Sequence, residues 1–506
     1  MKKLLLLMLL LAPVLAAPAV RVRLPGGWVE GSLEGGALSF KGIPYAHAER
    51  WRRPQLVASW PGVLKAQRYG PICPQRGDIT VRLGRLLGQY VPDYSEDCLN
   101  LNVWTPQTSP PAGGWPVMVF IHGGSFTGGS GSEPIYDGAA LARRGVVVVT
   151  INYRLGALGF LGLPGLAAED PNGSTGNYGL LDQLAALEWV RRQIAGFGGD
   201  PQSVTVFGES AGAMSVCDLL TSPLAAGAFD RAIMESGGCN YVLTKEEAEA
   251  RANELAREAG CAVDDLECWR ALPVEKLLKP LQGFDPRFDF KKAPFKPHID
   301  GYALTGDPEA LLEEGAGAET PMLAGANRDE YRLNLLLPLI GPRDWRAFAD
   351  WAKARGADPE RALALYRARF ADPVEAAYAF ETERLLLCPT YRALRKHQGP
   401  GRGYYLTYHP RALDFAGAFH SLDVPLVFGT LDTWPAWLAF MTAEGMGNGE
   451  RLGRLMRAYW TRFAKGEPLI HARMPWPELE SGYLLRLDVP WGWAKDPYPE
   501  RCALFR

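Results

Sequence analysis

The pentad Gly208-Glu209-Ser210-Ala211-Gly212 sets a hydroxyl between small residues. A nucleophile displayed on a sharp strand-to-helix turn adopts a strained backbone conformation, and flanking positions without bulk make that turn possible. At the start of a helix, the Ser210 oxygen would also sit where the dipole favours developing negative charge. The chemistry this predicts is attack of Ser210 on an acyl carbon, with Glu209 as a supporting neighbour. A second segment, His122-Gly123-Gly124-Ser125-Phe126, supplies what such an attack demands next. The backbone N–H groups of Gly124 and Ser125, joined by that of Ala211, are predicted to hold the oxygen that becomes negative; losing one such donor costs about 2.7–4 kcal/mol of barrier. His122 reads as a hydrogen-bonding residue at a strand end rather than as the base. A serine hydroxyl needs an imidazole to take its proton and a carboxylate to orient that imidazole. His298, His397, His409, His420 and His471 all follow Ser210, and spacing alone does not choose among them.

These groups need elements to carry them. Short apolar, β-branched runs at Val117–Ile121, Val146–Ile151, Val204–Phe207, Ala232–Met234 and Met322–Ala324 predict buried strands. The pentad that holds Ser210 directly follows one of them and His122 another. Helical patterns lie between, such as Leu180 to Ile194, so the chain is expected to be α/β with a mostly parallel sheet covered on both faces. Before Pro110 the pattern changes: Arg21–Leu24, Trp28–Ser32, Ala37–Ile43 and Leu99–Trp104 predict antiparallel strands. Leu243–Pro297 and Pro342–Lys396 read as helical insertions packed over the sheet, since no linker-like composition sets them apart. Residues 17–506 are therefore expected to form one domain.

Residues 1–16 read as a signal peptide. Lys2 and Lys3 precede the apolar run Leu4 to Leu15, which is shorter than the ~20 residues a membrane span needs, and small residues follow. Secretion or periplasmic export without a stable membrane anchor is the expectation. Lys and Arg number 54 against 56 Asp and Glu, a net charge of −2 with no basic block, which argues against a nucleic-acid partner and for a small molecule. Eight cysteines in an exported chain predict disulfides. Cys261 and Cys268 are close enough in sequence to close a small loop, and Cys73 and Cys98 bracket a Gly-rich polar stretch; order alone does not settle the pairing. With no Cys-x-x-Cys and no His-Glu-x-x-His, neither a metal nor another cofactor is expected.

The stretches Phe197–Gly212 (FGGDPQSVTVFGESAG) and Glu96–Val103 (EDCLNLNV) resemble the type-B carboxylesterases, a family that includes cholinesterases and bacterial p-nitrobenzyl esterases. The resemblance runs from Gly42-Ile43-Pro44-Tyr45 to Cys502-Ala503-Leu504-Phe505. It implies the α/β-hydrolase fold and the chain order Ser, acid, His. Gly325-Ala326-Asn327-Arg328-Asp329-Glu330 is similar to the family's acid motif and matches Glu330 as the triad carboxylate, with Asp329 as the competing neighbour. Ala418-Phe419-His420-Ser421, leading into Asp423–Gly429, looks like the catalytic-histidine loop; His420 is thus the expected base and His409 the alternative. Ser236 resembles a family serine that supports the acid by hydrogen bonding. The resemblance also implies the disulfides Cys73–Cys98, Cys261–Cys268 and Cys388–Cys502, which leaves Cys217 and Cys239 for a fourth.

The sequence departs from the cholinesterases where their choline site lies. Between Cys73 and Cys98 there is no Trp to receive a quaternary ammonium, only Tyr90 and Tyr94, so choline esters are not the expected substrates. Before Ile299-Asp300-Gly301, the segment Phe290–His298 carries Ala293 and lysines where cholinesterases have constricting aromatics, which suggests a wider acyl pocket. The expected activity is hydrolysis of small carboxylic esters through an acyl-enzyme, with an acid limb near the ordinary histidine pKa of ~6.5. The alternatives are lipase, carbamate or amide hydrolysis by the same triad, or a non-catalytic adhesion protein of this fold.

Overall fold

In a computed structural model of the protein, described here for residues 19–75, 92–282, 292–333, 337–433, 446–471, 473–496 and 498–505, the apolar runs become strands of one sheet. Its main strands are β1 (Ala19–Leu24), β2 (Gly27–Glu34), β3 (Ala37–Pro44), β4 (Asn100–Thr105), β5 (Trp115–Ile121), β6 (Val147–Ile151), β7 (Gly199–Glu209), β8 (Arg231–Glu235), β9 (Met322–Asn327), β10 (Gly401–Leu406), β11 (Tyr483–Leu487) and β12 (Gly492–Lys495). They lie in the order β1-β2-β3-β4-β6-β5-β7-β8-β9-β10-β11-β12, with Val63–Lys65 pairing alongside β2. From β6 to β11 every neighbouring pair is parallel, whereas β1 to β4 pair antiparallel, as does β4 with β6. This is the expected architecture with one addition: the far edge also ends antiparallel, β11 with β12.

The helices that cover the sheet are α1 (Tyr178–Gln193), α2 (Ala211–Thr221), α3 (Lys245–Ala259), α4 (Trp345–Lys353), α5 (Pro359–Arg367), α6 (Pro373–Thr382), α7 (Cys388–Lys396), α8 (Asp423–Phe428) and α9 (Met446–Ala464), with a π-helical turn at Glu383–Leu387 joining α6 to α7. Successive side chains of a strand point to opposite faces, and β5 shows the result. Val117, Val119 and Ile121 join one buried cluster with residues of α1 and α2, while Met118 and Phe120 join another with residues of α8 and α9. Both faces of the parallel block are thereby dry, which is why its strands read as continuous apolar runs rather than as alternating ones. The insertions are largely helical, as expected: α3 starts with a Thr244–Glu247 capping box, and α4, α5 and α6 each start on an aspartate that caps the first turn.

Four disulfides tie the chain: Cys73–Cys98, Cys217–Cys239, Cys261–Cys268 and Cys388–Cys502, with Cα separations of 5.0, 5.5, 5.8 and 5.2 Å. The bridge left open in sequence, Cys217 to Cys239, joins α2 to the segment after β8. The leader expected at residues 1–16 lies outside the described residues, as does Tyr90. No described helix is long and apolar enough to cross a membrane.

Candidate active site

The site lies at the carboxyl ends of β5, β7, β8, β9 and β10, where each strand passes into a loop or a helix. β7 runs into α2 through Ser210, held at φ 57° and ψ −123°. The turn is tight enough that a Cβ on Gly212 would lie 1.9 Å from the carbonyl oxygen of Ile121 at the end of neighbouring β5. Only glycine fits there, which gives the small residue of the pentad its physical reason. The Ser210 N–H donates to the Glu235 carbonyl at 2.9 Å, fixing the turn to β8.

Glu330 follows β9 and is buried. Its Oε1 accepts the Asn327 N–H at 2.7 Å, and its Oε2 accepts from Nδ1 of His420 at 2.7 Å. On the other side of the ring, Nε2 of His420 lies 2.9 Å from Ser210 Oγ. Hydroxyl, imidazole and carboxylate from three strand ends thus form one hydrogen-bonded chain, in the arrangement that lets an imidazole take a hydroxyl proton while a carboxylate fixes its tautomer. His409 stands elsewhere, with Nδ1 3.3 Å from Arg328 Nη2 and Nε2 3.1 Å from Asp414. Asp329 bonds Arg328 and Ala418, whereas the His420 ring bonds Glu330.

Glu209 lies on the far side of the same ring. Its Oε1 accepts from Ser421 Oγ at 2.7 Å and is 3.2 Å from His420 Nε2. Burial pushes the Glu209 carboxyl up to about 7, although the nearby His420 cation works the other way. For His420 the balance reverses: its position below the surface disfavours the cation, but Glu209 and Glu330 outweigh that and raise it to about 9. The two carboxylates that flank the ring are the cause of the upward shift. Asp423, also buried, accepts from Tyr404 OH at 3.0 Å and from Asn327 Nδ2 at 3.2 Å; burial raises it to about 6.

The segment from His122 to Phe126 closes over the serine. Gly124, Ser125 and Phe126 all have positive φ, at 105°, 56° and 61°. Its carbonyls are occupied within the protein: that of His122 by Tyr153 OH, that of Gly124 by the N–H groups of Thr127 and Gly128, and that of Phe126 by the Gly156 N–H. Tying these acceptors down keeps their negative ends engaged, as a site for an oxyanion requires. His122 stacks on Tyr153 at 4.4 Å, and burial lowers its pKa to about 4, so it stays neutral.

Ser236 stands at the end of β8, next to the acid strand. Ser236 is fully buried, and among the described residues its Oγ has no hydrogen-bond partner, Glu330 included. Its backbone N–H, donating to the Gly325 carbonyl at 2.8 Å, holds it at the end of β8, while the Glu330 oxygens take their bonds from Asn327 and His420. Sequence reasoning passed over Asn327. Its bond to Glu330 comes from the backbone N–H at the strand end, which any residue but proline would supply, while its side-chain amide reaches Phe419 and Asp423. In the segment Phe290–His298, residues 290 and 291 lie outside the described residues; Ala293 and Phe295 are buried, and Lys296 lies over the Tyr241 ring at 4.2 Å. Among the described residues no group of three metal-binding side chains converges.

The whole chain can be set against known proteins. The model of the Carboxylesterase family matches residues 17–350. The para-nitrobenzyl esterase of Bacillus subtilis is 37% identical over 94% of this chain and 96% of its own. The fumonisin B1 esterase of Sphingopyxis macrogoltabida is 39% identical over 90% of this chain and 83% of its own. Among solved structures, a Geobacillus stearothermophilus carboxylesterase superposes with a TM-score of 0.83 at 33% identity, covering 96% of this chain and 99% of that one. With an α/β-hydrolase sheet and a serine, a histidine and a glutamate converging at its strand ends, the chain belongs to the carboxylesterase family and is a carboxylic ester hydrolase.

Proposed function

We propose that this protein is a secreted serine carboxylesterase that cleaves small-molecule carboxylic esters through an acyl-enzyme, with Ser210 as nucleophile, His420 as base and then acid, and Glu330 as the orienting carboxylate. In acylation, Ser210 Oγ attacks the ester carbonyl as its proton passes to His420 Nε2. The oxygen that becomes negative is held by the N–H groups of Gly124, Ser125 and Ala211. His420 then protonates the departing alkoxide, and the alcohol leaves. In deacylation, water loses a proton to the same nitrogen, attacks the acyl carbon and releases the acid, which restores Ser210. Glu330 keeps its bond to Nδ1 throughout and stabilises the imidazolium without taking its proton.

The observation that carries this reading is the unbroken chain Ser210 Oγ–His420 Nε2 at 2.9 Å and His420 Nδ1–Glu330 Oε2 at 2.7 Å. Two relatives named for esterase activity on small molecules, p-nitrobenzyl esters and fumonisin B1, support the substrate class. The leader-like residues 1–16 and four disulfides support export. The test is a p-nitrophenyl ester chain-length series with fluorophosphonate labelling, on the mature protein and on Ser210→Ala. Wild type should turn over short and medium acyl chains and take the label. The variant should lose the label and about 10⁴-fold or more in kcat; full activity in Ser210→Ala would exclude this mechanism.

A further inference from the structure

The loop carrying His420 leaves β10 at Leu406 and enters α8 at Asp423, and the end of β9 grips its residues just before the histidine. Asp329 holds both backbone groups of Ala418: its own N–H donates to the Ala418 carbonyl at 2.9 Å, and its Oδ2 accepts the Ala418 N–H at 2.8 Å. Asn327 Nδ2 donates to the Phe419 carbonyl at 2.9 Å. Gly417 completes the fit. It has φ +57°, and a Cβ there would lie 2.3 Å from Asp329 Oδ2, so the carboxylate fills the space a side chain would need. Arg328 Nε donates to the same Oδ2 at 2.8 Å and fixes its direction.

We propose that Asp329 is a positioning residue for His420: by clasping Ala418 at both backbone groups, it sets the distance at which the imidazole meets Ser210, without touching substrate. The proposal rests on the Ser210–His420–Glu330 reading above. The side-chain bonds of His420 to Glu330 and of Ser421 to Glu209 hold the loop only at the histidine and beyond it, so the stretch before it could pivot about them. The paired backbone bonds two residues upstream, with Asn327 on the intervening residue, remove the pivot. A misplacement of about 1 Å at a reacting group costs on the order of 10²-fold in rate. That loss belongs to the chemical step rather than to substrate binding.

Asp329→Asn and Asp329→Leu are similar in size, but only the asparagine keeps an oxygen for the Ala418 N–H. The readouts are kcat per fluorophosphonate-titrated site, KM, and the far-downfield proton resonance of the His420–Glu330 bond. Asp329→Leu should lose on the order of 100-fold in kcat with KM within about twofold, and its downfield resonance should broaden. Asp329→Asn should stay within about threefold of wild type and keep the resonance, since a neutral oxygen still accepts. Wild-type kcat in Asp329→Leu, or equal impairment of both variants, would overturn the proposal. Should Asp329→Leu not fold, Gly417→Ala intrudes on the same contact from the loop side. Loss of kcat there supports the clasp, and wild-type kcat refutes it. Failure of the triad reading has a separate signature, because Ser210→Ala and Glu330→Gln would then remain active.

Discussion

At the scale of single residues, the site is governed by where charge sits around one imidazole. Glu330 on Nδ1 and Glu209 near Nε2 flank the same ring, and together they raise the His420 pKa to about 9. A base works only when neutral, so a raised pKa shifts the acid limb of kcat/KM to higher pH. Activity is gained as pH rises through the limb and lost as it falls. The prediction is a limb clearly above the ~6.5 of an unperturbed histidine. Glu209→Gln removes one of the two charges while keeping an acceptor for Ser421, and should move the limb back toward ordinary values. A pH–rate profile on a short p-nitrophenyl ester checks both; identical limbs in the two proteins would show that Glu209 carries no charge near His420. Ser125 makes a different point. Its expected contribution is a backbone N–H, and at φ 56° it occupies a conformation glycine adopts more readily. Ser125→Gly should therefore leave kcat within about threefold and stability unchanged or slightly higher, as an ester assay and thermal unfolding would report.

At the scale of elements, the nucleophile depends on how closely β5 and β7 run. The two strands pair in parallel with Gly208 opposite Ile121, and α2 begins directly beyond. A single methyl at Gly212 would penetrate the Ile121 carbonyl, so the turn must open or β5 must shift. Gly212→Ala should cost about 1–3 kcal/mol by urea unfolding, in the range of overpacking, and should slow fluorophosphonate labelling by moving Ser210 away from His420. Unchanged stability together with unchanged labelling would mean that the elbow has room the geometry denies it.

At the scale of the whole molecule, the disulfides restrict the unfolded chain by an amount that grows with the logarithm of the loop each closes. Cys388 and Cys502 are separated by 114 residues and join α7 to the last turn of the chain, whereas Cys261 and Cys268 are separated by 7. Loop-closure entropy assigns about 4.8 kcal/mol to the longer bridge and about 2.4 kcal/mol to the shorter. The double variant Cys388→Ala/Cys502→Ala should therefore lose roughly twice the stability of Cys261→Ala/Cys268→Ala, measured by urea unfolding under non-reducing conditions. The longer bridge also connects helices on one side of β9 and β10, the strands that present the acid and the base.

Features written in short stretches of chain were legible before any coordinates. The elbow could be read because its requirement is local: an apolar strand, a serine between small residues, and a helix all lie within one segment. The same holds for the strand that precedes Gly124 and Ser125, and for the helical character of the insertions. The partners of the serine were legible only through resemblance. His420 and His409, like Glu330 and Asp329, are near neighbours with the same chemistry at the same strand ends. His420 lies 210 residues from Ser210 and 90 from Glu330, and no local propensity spans such distances. Only the packing of five parallel strand ends decides which imidazole and which carboxylate meet the hydroxyl. Packing also decided what order along the chain does not carry: the bond from the Asn327 backbone N–H to Glu330 and the two carboxylates set beside His420. Hydrogen bonds and fields in a buried site are set by distance through space, and folding sets that distance independently of order along the chain.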